Sequence, residues 1–289
     1  MIKRILKNAI KVPLQVLKRY KAKKGLSQLI SNEYPVLRSI GCALHQSLDN
    51  IICVDEKKLI YLIEKRRYHL LSLDKQIPII DYGAGSQHLN RRKEEMEIGI
   101  GSNMKISDIC KASKSEFWSI FLFKMIRNLK PLSCLELGSC LGISASYQAT
   151  ALKINGIGNI TTLEGSPEIA RIAQETFQIL KLENVSMVIG PFHKILKDVF
   201  ESCKPIDFFF NDGHHDHYAV IKYFDESTNY LSDEAVIVFD DISWSPGMRR
   251  AWNRIEDDER VTASIDLNTM GIALVQKNSK SKYKFKISI

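Results

Sequence analysis

Residues 134–144 read CLELGSCLGIS, and residues 159–166 read NITTLEGS. The first stretch is an apolar run that ends in an acid and two spaced glycines, and the small, apolar ASYQATALKI follows it. The second is another apolar run, which places Glu164 at its end, 22 residues past Gly142. A strand, a glycine turn, a helix whose N-terminus faces the ligand and an acid on the next strand are the parts of an adenosyl-binding unit, the acid accepting from the ribose hydroxyls. Gly138 would let the backbone turn tightly and approach the ligand, and Gly142 would let the helix start close to it.

A second glycine turn, PIIDYGAGSQ at residues 78–87, opens in the same way but continues differently. The segment after it, QHLNRRKEE, is too polar to cover a sheet face, and no acid-terminated strand follows at dinucleotide spacing. Its expected role is structural or on the acceptor side. Gly83 and Gly85 would let residues 78–105 cross the mouth of the site, with Asp81 or His88 reaching an acceptor. The simpler alternative is a plain loop between two regions of the chain.

From about residue 105 onward, strand-like and helix-like segments alternate, which implies parallel strands joined by crossover helices in a doubly wound, Rossmann-like α/β sheet. TASIDL and GIALVQK follow each other across a short polar turn, so an antiparallel terminal hairpin is expected to close the sheet. KYKFKISI alternates apolar and polar residues and suits one more edge strand. Upstream, residues 26–75 carry apolar residues three and four apart and read as helices.

The chain of 289 residues has a net charge of +8, and the location of that charge decides its meaning. Residues 1–25 hold nine Lys or Arg and no acid, and the tail from Lys277 holds five Lys and no acid. The body between them has 27 basic and 33 acidic residues and carries −6, which argues against a nucleic-acid surface. Residues 1–25 have the pattern of a basic amphipathic helix interrupted at Pro13. It suits peripheral contact with an anionic membrane, or packing on the body or on a second subunit in a homodimer. No apolar run reaches the length of a secretion signal or a membrane span, and the six cysteines show no CxxC pair, so a reducing, cytoplasmic setting is expected.

Two ligand classes use such a layout, nicotinamide dinucleotides and S-adenosylmethionine (SAM). The turn here is E-x-G-x-x-x-G and lacks the tighter G-x-G-x-x-G of a pyrophosphate cradle, and Glu136 places a carboxylate where a dinucleotide would put a phosphate. Over about residues 105–277 the sequence resembles the class I SAM-dependent methyltransferases related to catechol O-methyltransferase and to the bacterial group with D-G-x-H after the fourth strand. Three regions are expected along the chain: the basic helix at 1–25, a helical cap with a connecting loop at 26–104, and a SAM-binding methyltransferase domain at 105–289. The resemblance implies that Glu136, Gly138, Ser139 and Gly142 surround the methionine part of SAM. Glu164, with Gly165 and Ser166, would hold the ribose, while Gly190 to Phe192 would lie beside the adenine.

Strands four and five end in NDGHHDHY and FDDISW, at the carboxyl edge where open α/β sheets bind ligands. Asp212, Asp240 and Asp241 should converge there, and three carboxylates suit Mg²⁺ or another divalent cation. The catechol enzymes have Asp, Asp and Asn at the matching positions. The competing reading of Asp240 and Asp241 is as loop or capping acids. His215 takes the place of the catalytic lysine of those enzymes and is the favoured base, with His214 and His217 as alternatives. Trp244 is either a lid over the acceptor or a packing residue.

The expected activity is SAM-dependent O-methylation of a small-molecule or glycan hydroxyl. A SAM- or nucleotide-binding protein without turnover and an NAD-dependent oxidoreductase are the alternatives.

Overall fold

The computed structural model of the chain describes residues 25–85, 91–279 and 281–289. The expected basic helix at 1–25 and His88 lie outside these, apart from Gly25. Eight strands form one sheet, in the spatial order β10 (Tyr283–Lys286), β8 (Val261–Asp266), β9 (Gly271–Gln276), β7 (Leu231–Phe239), β6 (Ile206–Asn211), β3 (Ser133–Leu137), β4 (Asn159–Glu164), β5 (Val185–Ile189). The strands from β7 to β5 run parallel. The β8–β9 pair is antiparallel and β9 is antiparallel to β7, so the expected hairpin closes the sheet, and β10 adds the edge strand parallel to β8.

The sequence FFF at 208–210 shows why this sheet is buried on both sides. Side chains alternate along a strand, so Phe208 and Phe210 join one apolar core and Phe209 the other, all three essentially inaccessible to solvent. On the Phe209 side lie α8 (Phe192–Cys203), α9 (His217–Ser227) and α10 (Pro246–Asp257). On the other side lie α5 (Glu116–Leu129), α6 (Ile143–Asn155) and α7 (Pro167–Ile179).

The N-terminal helices α1 (Pro35–Leu48) and α2 (Val54–Leu71) form an outer layer: α1 packs on α5, and α2 packs on α6 and on α4 (Ile106–Lys111). They were expected to cap the pocket, yet none of their residues lines it. Their work is to brace α5 and α6. Helix α2 buries charge to do so: Arg67 Nε donates to Glu64 at 2.9 Å, and Glu64 also accepts from the Tyr147 hydroxyl at 2.7 Å.

The expected connecting loop is also different. Strands β1 (Gln76–Asp81) and β2 (Ile100–Lys105) pair antiparallel as a separate two-stranded ribbon, with α3 (Lys93–Ile98) between them. The alternation in QIPIID supplies the reason, since Ile77 and Ile79 are buried and their neighbours are not. The ribbon docks on the turn after β4. The Ile80 amide donates to Ser166 Oγ at 3.3 Å, and the Tyr82 ring lies so close to Gly165 that a Cβ there would meet it at 2.6 Å. Among the described residues no helix is long and apolar enough to cross a membrane.

Candidate active site

Parallel strands direct their carboxyl ends to one edge, and β3 is the switch point, with β4 on one side and β6 on the other. The turn after β3 is fastened to β4: Gly138 and Ser139 donate backbone N–H groups to the Leu163 carbonyl at 3.0 and 2.9 Å. Gly138 has φ +88°, and a Cβ there would sit 2.6 Å from the Asp212 carbonyl oxygen. Only glycine meets both conditions.

A cavity of about 320 Å³ opens above this edge. Its floor and sides include Gly138, Ser139, Glu164, Gly165, Phe192, Asp212, His214 and His215, so most of the expected site residues converge on it. Glu164 accepts from the Cys140 amide at 2.9 Å and the Ser166 amide at 3.0 Å. Burial pushes its carboxyl up to about 7 despite these bonds, with Asp81 adding to the rise.

Several expected contacts are absent from the cavity wall. Glu136 is wholly buried beneath the floor, accepting from Thr162 Oγ1 at 2.5 Å and Gln148 Nε2 at 2.8 Å, and burial raises its carboxyl to about 7. Gly142 begins α6 at φ +81°, and a Cβ there would meet the Phe177 ring at 2.8 Å, so it serves helix packing. Ser166 uses its hydroxyl to anchor the ribbon, and Gly190 is one residue short of the lining, which takes up Pro191 instead.

The histidines separate cleanly. His214 is pinned: its Nδ1 shares a hydrogen bond with the Tyr223 hydroxyl at 2.9 Å, its ring meets the edges of Phe192 and Tyr223, and it faces the Tyr82 backbone. Burial lowers it to about 4, which leaves it neutral. His217 bonds the Gly247 carbonyl at 3.1 Å, away from the cavity. His215 Nε2 lies 3.4 Å from Asp212 Oδ1 and 3.7 Å from Asp241 Oδ2, and it makes no hydrogen bond with the described residues. The Trp244 ring is 5.6 Å from that of His215 and packs at the edge of the Phe209-side core.

The expected metal set was Asp212, Asp240 and Asp241. The donor atoms that approach within 4.8 Å of one another are instead those of Asp212, His215 and Asp240. Asp241 holds a left-handed backbone position at φ 50°, and its side chain falls outside that group. Asp240 is buried and contacts Lys114 Nζ.

Among the wall residues that sequence reasoning missed are Ser113 and Lys114, from the turn between α4 and α5, and Tyr82 as a packing group. A lysine in the turn KASKSEF reads as solvated, and no local signal marks it. The DYGAGS segment does more than a plain loop would, since residues 79–83 line the cavity. Asp81 faces it, although its carboxylate is engaged by Arg91 at 2.6 Å and the Gly83 amide at 2.9 Å.

Residues 135–242 match the model of a family described as "Methyltransferase domain". Among solved structures, the chain is similar to the cofactor-bound protein Rv0187 from MTB, at 22% identity and TM-score 0.52 over 58% of this chain and 84% of that one. It is also similar to the SAH-bound methyltransferase PaMTH1 of Podospora anserina, at 19% identity and TM-score 0.51 over 59% and 82%. A third similar structure is a protein of Staphylococcus aureus described as a caffeoyl-CoA O-methyltransferase, at 16% identity and TM-score 0.50 over 56% and 85%. No curated protein matches the chain. These likenesses establish the Rossmann-like α/β fold that those methyltransferase structures share, and the family match lies within residues 135–242.

Proposed function

We propose that this methyltransferase domain transfers the methyl group of SAM to a hydroxyl of a small molecule or glycan. The observation that carries the reading is the meeting of two halves in one cavity: the Gly138 turn with Glu164, and Asp212 with the unpartnered His215 Nε2. The fold likeness supports the cofactor, since PaMTH1 is described as SAH-bound.

Bound SAM would supply an electrophilic methyl on a sulfonium. Gly138 would keep the turn thin enough for the methionine part to approach, and Glu164 would accept from the ribose hydroxyls. Phe192 and Pro191 offer apolar contact to the adenine, and Glu136 holds the floor through Thr162 and Gln148. His215 is the base. Its Nε2 takes the acceptor proton, and Asp212 and Asp241 stabilise the imidazolium that forms, as carboxylates do beside a catalytic imidazole. His214, neutral and held by Tyr223, shapes the wall. The ribbon residues 79–83 exclude water and border the acceptor.

Calorimetric titration with SAM tests the reading, followed by an untargeted acceptor screen with methyl-labelled SAM. Binding of SAM with labelled product supports it. Binding without S-adenosylhomocysteine release on any acceptor favours a non-catalytic binder, and thermal stabilisation by NAD in place of SAM favours an oxidoreductase.

A further inference from the structure

We infer that the ammonium of Lys114 is the cation of the acceptor site, standing on Asp240 of the Asp212–His215–Asp240 group that could otherwise hold a divalent ion, so that transfer here needs no metal. This rests on the methyltransferase reading above. The Asp240 carboxylate is 1% exposed at the end of β7, and a buried carboxylate requires a positive partner. Lys114 Nζ touches Asp240 Oδ2, and neither carboxylate oxygen has a hydrogen-bond partner among the other described residues. Lys114 is itself only 10% exposed, so the two charges neutralise each other out of solvent.

The lysine is braced in this position. Its carbonyl oxygen accepts from Arg67 Nη1 at 2.8 Å and from Ser119 Oγ at 3.3 Å. Arg67 is in turn held by the buried Glu64, which Tyr147 also engages. The outer helix α2 therefore reaches the site indirectly, by fixing the turn that delivers Lys114.

The donor set does not suit Mg²⁺ or Ca²⁺. These ions want six or more oxygens, whereas the grouped atoms here include an imidazole nitrogen, and one of the two carboxylates already carries a cation. A divalent ion on Asp240 would meet the ammonium at contact distance and be repelled. With Lys114 in place, the transfer balances without the ion. The acceptor oxygen forms its bond to the methyl carbon, the carbon–sulfur pair returns to sulfur, and the acceptor proton moves to His215 Nε2. The Lys114 ammonium donates a hydrogen bond to the acceptor oxygen as that oxygen sheds its proton.

The test is Mn²⁺ binding followed by electron paramagnetic resonance on the full chain after dialysis against EDTA. The wild type should leave Mn²⁺ free, Lys114→Arg should do the same, and Lys114→Met or Lys114→Gln should gain one bound Mn²⁺ because Asp240 is released. Stoichiometric Mn²⁺ on the wild type overturns the inference, even if no variant folds. Failure of well-folded Lys114→Met and Lys114→Gln to bind Mn²⁺ also overturns it, since Lys114 would then not be what keeps the ion out. SAM calorimetry on the wild type is read separately: absence of SAM binding sinks the methyltransferase reading whatever the Mn²⁺ result.

Discussion

Glu164 should make SAM affinity depend on pH, and the direction follows from its surroundings. Burial raises the carboxyl to about 7 from an ordinary 4.5, so near neutrality about half of the unliganded protein carries it protonated. Ribose hydroxyls need the carboxylate form as acceptor, and binding must therefore release the proton. Affinity should reach a plateau above about pH 8 and fall towards about tenfold per unit below 7, since one pKa unit corresponds to about 1.4 kcal/mol.

Unliganded stability should move the opposite way. A raised carboxyl favours the folded state fully below 4.5, and that advantage is lost as pH rises through about 7. Glu164→Gln removes the charge and leaves one accepting oxygen where the carboxylate offers Oε1 to the Ser166 amide and Oε2 to the Cys140 amide. Weakening two charge-assisted bonds to the ribose hydroxyls, at about 1.5–3 kcal/mol each, should lower SAM affinity by at least ~10²-fold and abolish the pH slope. Calorimetry in buffers of different ionisation enthalpy reads both quantities and counts the released proton. An affinity flat from pH 5.5 to 8, or a Glu164→Gln protein that binds SAM like the wild type, would refute the assignment.

Three further outcomes are expected. Gly138→Ala must force a Cβ against the Asp212 carbonyl from a left-handed backbone position, and should cost about 1–3 kcal/mol of stability with loss of SAM binding; a variant that melts and binds normally counts against the turn. His215→Ala should lower labelled-methyl transfer by roughly 10²–10⁴-fold with little change in SAM affinity, and unchanged transfer excludes it as the base. Removing residues 1–24 should leave SAM affinity intact and reduce sedimentation with anionic liposomes, and equal sedimentation rules out the membrane role.

Periodicity and spacing alone determined the doubly wound sheet, the antiparallel closing hairpin and the pairing of the Gly138 turn with Glu164, because alternation along a strand, helical spacing and turn chemistry are local properties written in adjacent residues. The ribbon at β1 and β2 was less legible. Its strands are separated in sequence by a polar stretch, and only the docking of Ile80 and Tyr82 on Ser166 and Gly165 brings the ribbon to the wall. Tertiary structure alone decided which histidine has a nitrogen without a hydrogen bond, that Glu136 lies under the floor, that His215 takes the expected place of Asp241 beside Asp212 and Asp240, and that Asp240 meets Lys114. Each of these depends on contact between residues far apart along the chain, and a buried charge finds its partner through packing, for which neighbouring letters carry no signal.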